Sequence, residues 1–147
     1  MLELEDIRIG EFLEVQLVNV YAPMILNQKL KGLLVLSPHR DRFIVNVSAM
    51  EGQFSRKSKT GKHPHTNMAK AALNMMTRTA GISYRKYNIY MTSVDTGWVT
   101  DETPVHLRTP GFQPPLDCID GASRIYDPIV SGIKNGKPQS AVFIKNY

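Results

Sequence analysis

Residues 43–47 have the sequence FIVNV, and this short apolar stretch decides the fold. A strand with one face in water alternates apolar and polar residues, whereas a nearly continuous apolar run is typical of a strand covered on both faces. A polar break at Pro38–Asp41 precedes the stretch, and a polar, basic loop over residues 50–63 follows it. The stretch therefore predicts a buried strand in a parallel sheet.

Helical patterns alternate with this strand and with two further ones. Residues 11–34 are apolar at more than one helical spacing, which predicts a long helix that is buried on two sides and bent at Pro23. A second helix is predicted from Pro64 to Gly81, where the glycine is expected to end it. Strands are predicted over 89–94 and 141–144.

A third helix is predicted to begin at Asp117, a residue type that caps helix N-termini. Pro128 leaves the end of this helix open, and Gly132 and the Gly-Lys-Pro run at 136–138 are expected to break it. Before it, residues 95–116 carry four prolines, which predicts a long irregular loop with a functional or mobile role.

The element order predicts a single α/β domain over residues 1–147. Strands that alternate with helices indicate a three-layer, Rossmann-like parallel sheet with helices on both faces, and we expect the first two helices to share one face. Ligands of such sheets bind beyond the carboxyl ends of the strands. A site is therefore expected at the loops Val47–Gly52 and Val94–Asp101.

Charge and cysteine content restrict the possible classes of function. The formal net charge is +5, and a basic cluster lies within 56–63, so a nucleic-acid-binding protein is one hypothesis. We nevertheless do not expect nucleic acid as a partner, because aromatic residues are not interleaved with these charges. A single cysteine and the lack of an apolar run of about 18 residues predict a cytoplasmic protein with no membrane partner. His63 and His65 lack neighbouring ligands, so no metal is expected.

Four segments, in order, resemble the short-chain dehydrogenase/reductase family. Residues 14–23 resemble its long interface helix with the active-site asparagine, and residues 44–52 resemble the strand and loop that carry its catalytic serine. Residues 68–73 resemble the stretch that contains its catalytic lysine, and residues 94–100 resemble the loop that closes on the nicotinamide. The resemblance covers nearly the whole chain and implies the C-terminal half of the family's NAD(P)-binding fold.

The resemblance also implies catalytic roles for individual residues, with two departures from the family pattern. Asn19, Ser48 and Lys70 are the implied catalytic residues. Thr66 stands where the family has its tyrosine, four residues before the lysine, and Ala49 stands at the usual serine position. Each has a structural alternative: Lys70 as a surface lysine, Ser48 as a loop cap, Thr66 as a helix-start residue.

NAD(P) is the cofactor that the resemblance implies, with Lys70, Gly97, Val99 and Thr100 as its contacts in this chain. The glycine-rich turn that holds the pyrophosphate in dinucleotide-binding folds has no counterpart in the sequence. We therefore expect a protein that is non-catalytic as an isolated chain. The alternative is one part of an NAD(P)-dependent oxidoreductase acting on a carbonyl or alcohol, with the cofactor half on another segment or chain.

The family resemblance also predicts that this chain associates with other chains. The helices over 11–34 and 66–81 resemble the pair through which family members dimerise, and strand 43–47 lacks the neighbour that it would have in the complete sheet. An open apolar edge pairs readily with another chain. We predict a homo-oligomer formed through the two helices, or pairing with a separate partner chain.

Overall fold

A computed structural model of the chain describes residues 2–100 and 111–146. The middle of the predicted 95–116 loop, and with it Asp101 at the end of the second predicted site loop, therefore lies outside the described residues.

The described elements follow the predicted order. The first helix consists of α1 (Ile9–Gln16), a π-helical turn (Leu17–Tyr21) and α2 (Ala22–Leu36). After it come strand β1 (Arg42–Ser48), helix α3 (Pro64–Tyr84), strand β2 (Ile89–Asp95), helix α4 (Cys118–Asn135) and strand β3 (Val142–Ile144).

The three strands form one parallel sheet in the order β1-β2-β3. Arg42 is opposite Ile89 at the start of the first pair, and Thr92 is opposite Val142 in the second. This arrangement confirms the predicted α/β fold. Strand β3 begins one residue later than predicted because Ala141 has a φ of 61°, in the left-handed region, and cannot continue an extended strand.

Helices cover both faces of the sheet, as predicted. Successive strand residues point to opposite faces. On one face, Asn46 of β1 and Ser93 of β2 bond to Thr77 of α3, at 2.9 and 2.7 Å. On the other face α4 packs on Phe43 so closely that a Cβ built on Gly132 would lie 3.0 Å from the phenyl ring.

The first helix lies on the α3 face. Asn27 of α2 donates to the Asn46 side chain at 3.1 Å, and Tyr84 of α3 donates to the Asn27 carbonyl at 3.1 Å. The prediction that the first two helices share a face is therefore confirmed.

The two strand-helix-strand connections have opposite handedness. Each moves one strand in the same direction across the sheet, but α3 and α4 lie on opposite faces. One of the connections must therefore be left-handed, which is rare between parallel strands.

The apolar core is concentrated at α3 and β2. Its buried members are Ala69, Leu73, Ile89, Met91 and Val94. By contrast, no residue from Ile9 to Leu36 is buried. The prediction that this helix is buried on two sides is thus wrong for the chain alone, because α3 and β1 cover one side and no described residue covers the other.

The same helix, Ile9–Leu36, is long and apolar enough to cross a membrane, judged by length and composition alone. This corrects the expectation that the sequence holds no such stretch. In the fold its polar groups contact the rest of the domain: Gln16 donates to the His65 carbonyl at 3.3 Å, and Asn27 bonds to Asn46. Packing of one side of the helix against the domain is therefore a second explanation of its length and apolar composition, beside a membrane span.

Two glycines that were predicted to end helices lie inside them instead. α3 continues through Gly81 to Tyr84, and α4 continues through Gly132 to Asn135. A Cβ on Gly81 would lie 2.9 Å from the Ala141 nitrogen, just as one on Gly132 would meet Phe43. Both glycines permit close packing, which a pattern along the chain does not distinguish from a helix stop.

The start of α4 is as predicted. The Asp117 carboxylate accepts from the backbone N–H groups of Ile119 and Asp120, at 2.8 and 2.9 Å. Pro128 lies buried within the helix, which ends at Gly136 in the left-handed conformation. The predicted stop at residues 136–138 is therefore confirmed.

A single buried hydroxyl joins α3 to two strands. Thr77 donates to the Leu73 carbonyl at 3.0 Å and accepts from both Asn46 and Ser93. A hydroxyl has one donor and two acceptor sites, and all three are used here. Through the bond from Asn27 to Asn46, the network extends to α2.

Replacing this hydroxyl tests the network. We expect Thr77→Val, which is similar in shape, to lower the free energy of unfolding by about 2 kcal/mol or more, because two buried donors lose their acceptor. Thr79→Val, at an exposed position of the same helix, is expected to change it by less than about 0.5 kcal/mol. Urea unfolding of both variants measures the difference, and equal effects would contradict the assignment.

Candidate functional site

An open groove of about 400 Å³ runs along the free edge of β1, between that strand and α2. Its lining brings together two of the implied site residues, Asn19 and Lys70. The rest of the lining is mostly apolar and consists of Val18, Pro23, Leu26, Asn27, Leu30, Ile44, Val45, Asn46, Val47 and Leu73.

Lys70 reaches across the end of this groove from α3. Its ammonium donates to the backbone carbonyl of Val47 at 3.2 Å. The 3₁₀ turn Met50–Gly52, which follows β1, packs tightly against the backbone of Lys70. A Cβ on Gly52 would lie 2.6 Å from the Lys70 carbonyl carbon. Lys70 is therefore fixed by the strand and by the loop after it.

Asn19 lies within the π-helical turn of the first helix. Its amide donates to the Val15 carbonyl at 3.1 Å, one turn earlier. Pro23 has no N–H, so it cannot donate to the Asn19 carbonyl as a residue at that spacing otherwise would. The irregularity expected at Pro23 thus appears as a π turn immediately before it, at the candidate site.

Ser48 is not among the residues that line the groove. It shares strand parity with Asn46, so its side chain faces α3, where the hydroxyl lies 3.5 Å from the Lys70 carbonyl. The residue is buried, with 4% of its surface exposed. Ala49, the next residue, carries no hydroxyl.

Thr66 occupies the first turn of α3. Its hydroxyl donates to the carbonyl of His63 at 2.9 Å, three residues earlier. This is a bond that helix-start residues make. It leaves the Thr66 hydroxyl occupied with local backbone and outside the groove that holds Asn19 and Lys70.

The loop after β2 is held by a residue that the sequence patterns did not indicate. Arg124 of α4 donates to the Thr96 carbonyl at 3.1 Å. Gly97 has a φ of 74°, and a Cβ there would lie 2.3 Å from the Arg124 guanidinium. Val99 packs near Gly121 of α4. Arg124 belongs to no motif, so only the tertiary structure identifies it.

The two candidate site loops are joined at the carboxyl edge of the sheet. Asp95, the last residue of β2, accepts from the backbone N–H of Met50 at 3.2 Å. Trp98 and Phe112 then pack against each other with ring centroids 5.1 Å apart. Thr100 follows as the last described residue of this segment.

The histidines and the basic loop form contacts of other kinds. His65 Nε2 lies 3.2 Å from a Glu11 carboxylate oxygen. Across residues 2–100 and 111–146, no group of three or more His, Cys, Asp or Glu side chains is placed to hold a metal. Arg56 and Lys59 both contact Glu51, and Lys62 contacts Glu3, so part of the positive charge is neutralised within the domain.

No family model matches the chain. An uncharacterized protein of Acanthamoeba polyphaga mimivirus is 43% identical over 103 residues, which are 64% of this chain and 22% of that protein. The chain thus spans about a fifth of this curated relative.

Solved structures identify the fold. The carbonyl reductase Sniffer of Drosophila melanogaster superposes with a TM-score of 0.75 at 21% identity, and the NADPH-bound carbonyl reductase from chicken fatty liver with 0.66 at 22%. Each of these two matches includes 97% of this chain and 57% of the reductase chain. A Caenorhabditis elegans short-chain dehydrogenase/reductase of unknown function, solved with cofactor, is 28% identical with a TM-score of 0.57, over 66% of this chain and 33% of that one.

The packing of Gly97 against Arg124 can be tested with a matched pair of glycines. Gly136→Ala meets no atom within 4 Å, so it is expected to cost about 1 kcal/mol of folding free energy from its positive φ alone. Gly97→Ala is expected to cost about 1–2 kcal/mol more, because the added methyl group would overlap the side chains of Arg124 and Leu116. Urea unfolding gives both values; equal costs would show that these two contacts do not hold the loop.

Proposed function

We propose that this chain, which has a short-chain dehydrogenase/reductase-like fold, is a binding and assembly module that does not carry out oxidoreductase chemistry by itself. One observation carries the proposal. Within residues 2–100 and 111–146, no serine, threonine or tyrosine lines the groove that contains Asn19 and Lys70.

A proton donor is needed there because reduction of a carbonyl adds a proton to oxygen as well as a hydride to carbon. The resemblance implies a tyrosine at position 66, whose phenol has a pKa of about 10 in water. The Thr66 hydroxyl is a much weaker acid and donates to His63, while Ser48 faces α3. Asn19 is not an acid, and the Lys70 side chain, although an ammonium is about as acidic as a phenol, donates to the Val47 carbonyl.

The described residues also do not fit an NAD(P) cofactor. The resemblance assigns contacts to Lys70, Gly97, Val99 and Thr100, yet the Lys70 ammonium donates to the Val47 carbonyl. A pyrophosphate is held by a helix N-terminus behind a short glycine-rich turn. The described helix that follows β1 begins only at Pro64, well after Ser48 and without such a turn. We therefore derive no cofactor-dependent step for this chain.

A second candidate is one part of a larger NAD(P)-dependent oxidoreductase. The length of the structural match favours this alternative, because the chain spans only 57% of the fly and chicken carbonyl reductases. In this case the cofactor half would come from another segment or chain, and the substrate class would be a carbonyl or alcohol.

Nucleotide titration tests the proposal. By calorimetry we expect the isolated chain to bind NADH and NADPH with Kd values above about 1 mM, because the pyrophosphate site is missing. The chicken carbonyl reductase serves as a positive control. Thr66→Tyr combined with Ala49→Ser is expected to leave nucleotide binding unchanged, since neither residue restores that site. Micromolar binding by the unmodified chain would contradict the proposal.

The proposed assembly is a homo-oligomer formed through the first helix and α3, and exposed surface supports it. Large exposed apolar side chains on the two helices include Leu13, Leu17, Tyr21, Met24, Ile25, Met68, Met75 and Ile82.

A charge placed on this surface should dissociate the oligomer. Leu17 is 58% exposed in the single chain, so Leu17→Glu removes little core contact but puts a carboxylate into the proposed interface. Val18→Glu is the neighbouring test. We expect either variant to sediment as a monomer at micromolar concentration, or to unfold, while Gln139→Glu, at an exposed polar position outside both helices, sediments as the wild type does. A folded wild-type monomer, unchanged by Leu17→Glu, would rule out the interface.

Nucleic-acid binding remains the least supported function, because Arg56, Lys59 and Lys62 already contact acidic residues or backbone oxygens. Affinity for nucleic acid that falls steeply with salt would revive it. A cytoplasmic location stays a prediction.

A further inference from the structure

We infer that the end of the domain at which the strands begin docks on an anionic lipid bilayer. We call this end the amino face; it comprises residues 31–42, 85–88 and 134–141. The contact would be peripheral, with basic side chains near the lipid phosphates and apolar side chains between the headgroups. The amino face lies at the opposite end of the sheet from the candidate site loops, and the inference does not depend on the proposed function.

The ends of three helices meet at the amino face. α2, α3 and α4 are each followed by a short connection to the start of a strand, so all three helices end at the edge where the parallel strands begin. The guanidinium of Arg42 holds two of these connections together. It donates to the Ser37 carbonyl at 2.8 Å and to the Tyr87 carbonyl at 3.0 Å.

The charge of the amino face is almost entirely positive. The face contains seven Lys and Arg residues and one acidic residue, Asp41. Five of the seven are exposed, namely Arg40, Arg85, Lys86, Lys134 and Lys137. Among the described residues, the only acidic side chain that contacts any of these five is Asp41, 3.8 Å from Arg40. The face therefore presents positive charge that the domain itself does not neutralise.

The basic loop at the other end of the sheet differs in this respect. There Arg56 contacts Glu51, and Lys62 contacts Glu3. Seven positive charges against one negative charge on the amino face exceed the formal net charge of +5 of the whole chain, so the rest of the chain is slightly acidic. An anionic partner is therefore expected to approach the amino face first.

Exposed apolar side chains lie among these cations. Leu36, the last residue of α2, is 80% exposed, and Ile133, in the last turn of α4, is 63% exposed. The backbone of a nucleic acid would leave both side chains in water. The boundary between lipid headgroups and acyl chains, by contrast, accommodates leucine and isoleucine beside lysine and arginine. The combination of basic and apolar groups therefore favours a bilayer over a nucleic acid.

The number of exposed cations is sufficient for measurable binding. One lysine or arginine close to an anionic leaflet strengthens binding by about fivefold, so five of them would strengthen it by roughly a thousandfold or more. The expectation of no membrane partner was based on the lack of a spanning stretch, and a peripheral contact needs no span.

Co-sedimentation of the full chain with lipid vesicles tests the inference. One set of vesicles is phosphatidylcholine alone, and in the other set about a third of the lipid is phosphatidylserine. We expect the chain to bind only the second set. Binding should fall steeply between roughly 0.05 and 0.5 M salt, because the added ions screen the charges.

Matched charge reversals locate the contact. Arg85→Glu with Lys86→Glu, and separately Lys134→Glu with Lys137→Glu, should each weaken binding to the phosphatidylserine vesicles by at least about thirtyfold. Lys57→Glu with Lys59→Glu, in the basic loop, makes the same change in net charge and should weaken it by less than about threefold. Urea unfolding checks that the variants are folded. If one amino-face pair does not fold, the other pair still decides the question.

An uncharged variant tests insertion into the bilayer. Leu36→Gln removes an exposed apolar group and leaves the net charge as it is. It should weaken vesicle binding by about fivefold, because part of the leucine side chain would no longer leave water. Unchanged binding would contradict the choice of a bilayer.

Three further results would overturn the inference. The chain fails to bind phosphatidylserine vesicles at low salt, or the amino-face and loop reversals weaken binding equally, which would assign it to net charge. Binding to phosphatidylcholine alone that persists at high salt would instead indicate the apolar helix Ile9–Leu36. An RNA or DNA duplex that binds more tightly than the vesicles and is lost on the amino-face reversals would make nucleic acid the partner.

Discussion

The hydroxyl of Thr77 is the interaction on which the rest of the domain depends. It lies where α3 crosses the sheet, and its three hydrogen-bonding sites are filled by its own helix, by β1 and by β2. Because it is 1% exposed, each bond forms away from water, where an unpaired partner is costly. The Asn46 side chain also accepts from Asn27 of α2, so one hydrogen-bond network holds two helices against two strands.

On one side of this network the side chains are buried by neighbouring elements, whereas on the other side they are exposed. The side chains of α3 and β2 supply the core, whereas the first helix buries none of its residues, and no described strand pairs with the other edge of β1. Asn19 and Lys70 line the groove beside that edge, so the candidate site lies on the open side of the fold.

Sequence patterns predicted the parallel α/β fold well, because the continuous apolar character of residues 43–47 and the Asp117 cap are local signals. They failed where the reason for a residue is tertiary. Gly81 and Gly132 look like helix stops along the chain, but each allows another element to approach closely. The apolar width of the first helix predicted burial, yet its outer side has no covering element among the described residues.

The candidate site was predictable to a similar extent. The family resemblance selected Asn19 and Lys70, which the fold does bring to one groove, whereas Ser48 does not line that groove and its hydroxyl lies 3.5 Å from the Lys70 carbonyl. Arg124 carried no sequence signal, because its role depends on a carbonyl far away along the chain.

We propose that this domain needs a partner surface to be stable, and the concentration dependence of its unfolding tests this most directly. If the folded chain is associated, the urea midpoint should rise steadily with chain concentration, since association stabilises the folded state by mass action. A two-state transition of a monomer with the same midpoint over a hundredfold range of concentration, at the roughly 5–15 kcal/mol usual for a domain, would contradict the account.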